Sequence, residues 1–235
     1  MGKIEKAAIV VVAKAPRVGK VKTRLCPPLN YEQAAALYTG FLLDTIEIAL
    51  QISGAEVKAV CPTVEDAAEL GQLLPAEVGY VVQREAGLST ALNQAIEDCL
   101  AAGYSKVLCI SSDNPTLPGE YLEMALEKLD TNDLVLGPTE DGGYYLVGSK
   151  VACPYLFEGM TWSTETVMAE TLERAWQEQT QLQILPGWYD LDTGQELARF
   201  IQELPQDGTQ ALHTRQALNL LNTQELLNVS LGSQS

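Results

Sequence analysis

The sequence predicts a single α/β domain, a mainly parallel sheet sandwiched by helices, on three observations. Short apolar, β-branched runs recur along the first 140 residues, and helix-length amphipathic patterns stand between them. No Pro- or Ser-rich linker and no internal repeat divides the chain. Strands alternating with helices are the signature of βαβ units, because parallel neighbours need a crossover.

The elements follow in order. Residues 7–12 read as a buried first strand, and this apolar run meets Lys14 too early for a secretory signal. A helix over residues 31–51 follows a capping residue at Asn30 and carries Leu37, Phe41, Ile46 and Ile48. Residues 56–61 and 79–82 are the next strands. A helix over residues 88–100 then puts Leu88, Leu92, Ala95, Ile96 and Cys99 on one face. Residues 106–111 and 134–137 are further buried strands, and 144–148 close a Gly-rich hairpin. A helix at about 164–179 and a short strand at 182–185 decorate the same sheet. We expect a main domain over residues 1–193, a helical appendage over 194–227 and a disordered tail over 228–235.

Composition narrows the function classes. With 46% hydrophobic and 20% charged residues, the chain has the means to fill one core. A formal net charge of -16 argues against nucleic acid, whose binders carry excess Lys and Arg. A small-molecule or protein partner is expected instead. Five cysteines without a CxxC pair suggest free thiols in a reducing compartment, and no run of 18 apolar residues offers a membrane span. A cytoplasmic protein is expected.

Four segments have the residue types for chemistry. After the first strand, AKAPRVGKVKTRL gathers Lys14, Arg17, Lys20, Lys22 and Arg24, a third of the 15 cationic residues, around Gly19. No Asp or Glu occurs between Glu5 and Glu32. Open α/β sheets bind ligands at the carboxyl ends of their strands, so the loop reads as a phosphate clamp. It is no Walker A loop, which would need Gly at Lys14 and Ser or Thr at Val21.

In the second segment, SSDNPTL, Asp113 leaves a strand end where a carboxylate can ligate Mg²⁺ together with substrate phosphates. It could equally open a turn or cap the next helix. In the third, GPTEDGGYYLVG, Glu140 and Asp141 precede Gly142, Gly143 and Tyr144. The glycines permit close backbone approach and the carboxylates suit hydroxyl groups, although a hairpin turn explains them as well. In the fourth, WYDLDT, Asp190 and Asp192 lie one residue apart. A helix cap needs one acid, whereas two carboxylates near Asp113 call for a shared cation. Trp162, in MTWSTETV, could line a pocket. The lone histidine, His213, argues against a catalytic triad or a His-ligated zinc.

Taken in order, KAPRVGKVKTRL, SSDNPTL, GPTEDGGYYLVG, MTWSTETV and WYDLDT resemble the DUF2064 family of GT-A-like transferases, over residues 9–197. The resemblance implies a Rossmann-like GT-A domain with the nucleotide-diphospho-sugar transferase fold, related to guanylyltransferases acting on phospholactate and on molybdenum cofactor. It also implies a nucleotide or nucleotide-sugar donor on the first loop and a divalent metal, Mg²⁺ or Mn²⁺, at Asp113 with Asp192. In place of DxD the chain has Ser111-Ser112-Asp113.

The leading expectation is glycosyl transfer from a nucleoside diphosphate sugar to a small-molecule acceptor. Lys20, Lys22 and Arg24 would bear on the departing diphosphate, and Asp141 or Glu140 on the acceptor hydroxyl. The alternatives are nucleotidyl transfer to a phosphorylated acceptor, with release of pyrophosphate, and a nucleotide-binding module without turnover.

Overall fold

In a computed structural model, which describes residues 6–205 and 208–221, seven strands form one sheet in the order β3-β2-β1-β4-β6-β5-β7. The strands are β1 (Ala7–Val12), β2 (Ala55–Cys61), β3 (Gly79–Val82), β4 (Lys106–Ser111), β5 (Leu134–Pro138), β6 (Tyr144–Ser149) and β7 (Leu182–Ile184). The chain belongs to the α/β class. All pairs are parallel except those made by β6, which runs antiparallel between β4 and β5.

The central strands are apolar throughout because helices cover both faces. Successive side chains of β1 alternate accordingly. Ile9 and Val11 join Leu42, Ile46, Leu70 and Leu122 on one face. Ala8 and Val10 join Leu92, Ile96, Leu136 and Phe157 on the other. The first face is covered by α1 (Tyr31–Leu50), α2 (Val64–Leu73) and α4 (Gly119–Lys128); the second by α3 (Leu88–Ala101) and α5 (Val167–Gln177). The predicted cap at Asn30 is present, and its side chain and that of Gln33 close a capping box.

Two further helices, α6 (Gly194–Glu203) and α7 (Leu212–Leu220), pack with α1 around a third cluster that includes Leu37, Phe41, Leu197, Phe200 and Leu218. The α1–α7 approach is so close that a Cβ on Gly40 would stand 2.8 Å from Thr214 Cα. Asp44 of α1 completes the contact, accepting from the backbone N–H groups of His213 and Thr214 at 3.0 and 2.8 Å and from the Thr214 hydroxyl at 2.6 Å. Ala211, the residue before α7, offers no side-chain cap. A carboxylate from another helix therefore satisfies the first N–H groups of α7. The expected continuation of the helical region to residue 227, and the tail at 228–235, lie outside the described residues. No helix among the described residues is long and apolar enough to cross a membrane, and all five cysteines are free, four of them buried.

Candidate functional site

Between β1 and β4 the strand order turns, since β1 continues to β2 on one side and the chain returns through β4 on the other. Loops leaving such neighbours diverge and open a crevice. A cavity of about 720 Å³ lies there, walled by the β1–α1 loop and the residues after β4. On the β2–β3 side it is lined by Pro62, Gln83, Leu88 and Leu92. On the β6 side it is lined by Thr139, Asp141, Gly143, Tyr144 and Trp162 through Thr164.

The acidic residues named from the sequence converge here. Asp113, two residues beyond β4, shares the wall with Asp190 and Asp192. The backbone N–H of Leu191 donates to the Asp113 carbonyl at 3.3 Å, which binds the two segments together. Asp113 caps no helix, because α4 begins after Pro118 without a side-chain cap. Asp192 is also free of capping, since Thr193 with Glu196 forms the capping box of α6. Both carboxylates are thus available to the cavity.

A cation does lie between them, and it is Lys22. Its ammonium stands 2.6 Å from Asp113 Oδ2 and 2.5 Å from Asp192 Oδ1, with its side chain only 7% exposed. Burial alone would lower the pKa of this lysine, but the two carboxylates outweigh it and hold the group above its ordinary value. Burial likewise opposes ionisation of Asp192, yet Lys22 and Arg24 hold that carboxyl below its ordinary value. Arg24 reaches Asp192 Oδ2 at 3.1 Å from a largely exposed position.

Tyr38, on the buried face of α1, supports Asp113 from behind. Its hydroxyl accepts the Lys14 backbone N–H at 3.1 Å and lies 3.0 Å from Ser112 Oγ, which donates to Asp113 Oδ1 at 3.2 Å. Burial, then the Asp113 carboxylate, push the phenol up to about 12, so it stays protonated and neutral. Neither Tyr38 nor Ser112 carries a sequence signal of this role. Their pairing spans 74 residues and depends on how α1 packs against β4.

Asp190 is the group whose surroundings least suit it. Its Oδ1 is buried and has no hydrogen-bond partner. Burial, with the nearby Asp113 charge second, pushes its carboxyl up to about 7. Buried polar atoms are nearly always partnered, so this oxygen, with the Asp113 charge nearby, fits a hard cation that prefers oxygen ligands. Asp113 and Asp190 therefore suit a divalent metal.

A pH dependence follows. The ordinary value of the Asp190 carboxyl is 3.8. A raised value in the folded state means that its contribution to metal-free stability is complete below 3.8 and is lost progressively as pH rises from there through about 7. A cation needs the ionised form, so metal affinity is expected to climb from pH 6 to pH 8 by up to about tenfold per unit below the folded value. Calorimetric titration with Mg²⁺ checks this. Asp190→Asn should give a weak, flat profile, and a flat wild-type profile would remove Asp190 from the ligand set.

The remaining members of the basic loop separate into different tasks. Lys14 and Lys20 line the cavity, as do Lys22 and Arg24. Arg17 does not, because its guanidinium is held by Asp66 at 3.0 Å and by Glu69 at 2.9 Å, fastening the loop to α2. Gly19 has a positive φ of 70° and shapes the turn without lining the cavity.

The Gly-rich segment divides in the same way. Asp141 Oδ1 accepts from Thr139 Oγ1 at 2.6 Å and from the Gly143 N–H at 3.1 Å, organising its own turn at the cavity edge. Glu140 is paired with Arg199 of α6 at 2.7 Å and lies off the cavity lining. The Gly142 backbone packs beneath residues 165–168, its carbonyl accepting from the Met168 N–H at 2.8 Å. Trp162 donates to Ser89 Oγ at 2.8 Å and stacks on Phe157, forming a rigid side wall.

Elsewhere, Asp44, Glu47 and His213 bring ligand-type atoms within 4.8 Å of one another, close enough to hold an ion. The Asp44 oxygens there already accept the three hydrogen bonds that cap α7, and Glu47 pairs with His213 Nε2 at 2.8 Å.

Comparisons with known proteins agree with this fold. The chain is similar to the crystal structure of a protein provisionally named a nucleotide-diphospho-sugar transferase from Desulfovibrio desulfuricans G20, with a TM-score of 0.85 and 26% identity, covering 94% of this chain and 96% of that one. It shares its fold with 4-diphosphocytidyl-2C-methyl-D-erythritol synthase from Anaerococcus prevotii, at a TM-score of 0.55 and 10% identity, over 85% and 97% of the two chains. Among curated proteins it is 34% identical over 146 residues to 3-phospho-D-glycerate guanylyltransferase of Phenylobacterium zucineum, a match spanning 57% of this chain and 63% of that protein. Residues 45–164 match the model of a family described as "Uncharacterized protein conserved in bacteria (DUF2064)". With half of its length matched, the chain belongs to the DUF2064 family.

Proposed function

We propose that this transferase is a metal-assisted nucleotidyltransferase that joins a nucleoside monophosphate, guanosine first among the candidates, to the phosphate of a small phosphorylated acid. The observation that carries this reading is its 34% identity over 146 residues with a guanylyltransferase. It favours nucleotidyl over glycosyl transfer, which the sequence alone ranked first.

In this reaction an acceptor phosphate oxygen attacks the α-phosphorus of the triphosphate. The new P–O bond forms as the bond to the β-phosphate breaks, and pyrophosphate leaves with the electron pair. A divalent cation held by Asp113 and Asp190 would supply neutralisation of phosphate charge. Lys20 and Arg24, exposed on the loop, meet the triphosphate, while the neutral Tyr38 phenol and Ser112 keep the Asp113 carboxylate in place. Pro62, Leu88 and Leu92 offer an apolar slot for the base, with the Gln83 amide beside it.

Lys20→Ala is expected to weaken nucleotide binding by about tenfold or more, the worth of one charge-assisted hydrogen bond. It should leave the melting temperature of the free protein nearly unchanged, because Lys20 is exposed. Thermal shift with GTP, ATP and CTP, with and without Mg²⁺, reads both quantities. Equal stabilisation of variant and wild type by every nucleotide would return Lys20 to a solvated loop residue.

Glycosyl transfer keeps one observation in its favour. All four cationic side chains lining the cavity, Lys14, Lys20, Lys22 and Arg24, come from the β1–α1 loop, whereas the β6 side is lined by Thr139, Tyr144, Ser163 and Thr164. The hydroxyls of Thr139, Ser163 and Thr164 on that wall suit a neutral polyhydroxyl group, the Tyr144 hydroxyl being buried behind it. Under nucleotidyl transfer the same loop must serve both the triphosphate and the acceptor phosphate.

A further inference from the structure

We infer that Lys22 is a resident counter-ion that holds the cation's place in the free protein, so that divalent metal binds well only together with the nucleotide. The inference rests on the metal assignment to Asp113 and Asp190 made above. It goes further by giving Lys22 a task before any substrate arrives.

Three observations place Lys22 in this role. Its ammonium bridges Asp113 and Asp192 at 2.6 and 2.5 Å while its side chain is almost wholly buried. Its backbone adopts φ 45° and ψ 39°, a left-handed conformation uncommon for a residue with a Cβ and kept only where the surroundings fix it. Of Asp113, Asp190 and Asp192, the two that touch Lys22 are satisfied, and Asp190 retains an unpartnered buried oxygen.

Metal entry alongside Asp113 sets a dication against an ammonium bound to the same carboxylate. Like charges a few ångströms apart in a partly desolvated crevice repel strongly. If Lys22 swung away alone, it would leave its two anionic partners and expose three carboxylates to one another. A nucleoside triphosphate removes both difficulties, since its phosphates beside Lys20 and Arg24 offer the ammonium a new anionic partner. Lys22 then passes from carboxylates to phosphates as the cation takes its place. Binding of the two ligands is coupled, each raising the affinity of the other by the same factor.

Mn²⁺ binding without nucleotide, followed by electron paramagnetic resonance of the free ion, tests this on the wild type and on Lys22→Met, which keeps the bulk and removes the charge. The variant is expected to bind Mn²⁺ alone about tenfold or more tightly than the wild type, the coupling having been removed. The additional change Asp113→Asn should abolish that gain. Circular dichroism reports folding, and Lys22→Gln, which can still hydrogen-bond both carboxylates, serves if Lys22→Met does not fold. Equal Mn²⁺ affinity in wild type and variant overturns the placeholder role while leaving the proposed reaction intact, because neither acceptor nor turnover enters the measurement. Absence of Mn²⁺ binding by both proteins, even with a non-hydrolysable GTP analogue present, overturns it together with the metal assignment.

Discussion

Asp113→Asn is expected to lower kcat/KM by about 10²- to 10⁴-fold while the protein stays folded, because the amide keeps the shape and loses the charge on which the crevice is centred. The same change leaves the buried Lys22 ammonium with Asp192 as its remaining anion. Breaking one side of a buried ion pair costs stability, here about 1–3 kcal/mol because Asp192 persists. For a chain of this size that lowers Tm by about 2–12 °C. Calorimetry and steady-state kinetics separate the two effects. Turnover near the wild-type level in a folded Asp113→Asn protein would move the chemistry away from the β4 end of the crevice.

Gly142→Ala is expected to damage stability and activity together. The φ of Gly142 is +88°, and a Cβ there would lie 2.3 Å from the Glu165 carbonyl oxygen, a backbone atom that cannot rotate away. Strain at that φ and overpacking against backbone sum to about 3–5 kcal/mol, so Tm should fall by roughly 6–20 °C. Relief comes from shifting residues 162–168, which carry Trp162, Ser163 and Thr164 on the β6 wall. KM for the acceptor should therefore rise beyond what lost stability explains. A variant with unchanged Tm and KM would show that the segment beneath the wall yields freely.

The strands and the first cap were legible because they rest on local rules. Apolar runs of strand length between helix-length patterns gave β1 and β3 to the residue, with β2 and β5 one residue longer than expected. Asn30 capped α1 as its side-chain chemistry suggests. The tasks of charged residues were less legible, because a charge is defined by its partners. Lys22 and Arg17 lie five residues apart in one basic loop, yet one is buried between two carboxylates and the other is spent fastening the loop to α2. Asp192, favoured as a cation ligand, stood where a cap was also open to it, until Thr193 with Glu196 proved to supply the cap. Tyr38 and Asp44 act over 74 and 170 residues of chain, and nothing in their neighbourhoods announces it. The shared cation inferred from the acidic residues has a protein counterpart in Lys22, which spacing alone could not show.

The most direct test of nucleotidyl transfer is phosphorus NMR of the protein incubated with GTP, Mg²⁺ and a panel of phosphorylated small acids headed by 3-phospho-D-glycerate. The account predicts a pyrophosphate resonance growing in step with the paired signals of a new diphosphate diester, both lost in Asp113→Asn. Release of a nucleoside diphosphate from a nucleotide sugar, with no pyrophosphate from any triphosphate and acceptor, would contradict it and make the chain a glycosyltransferase.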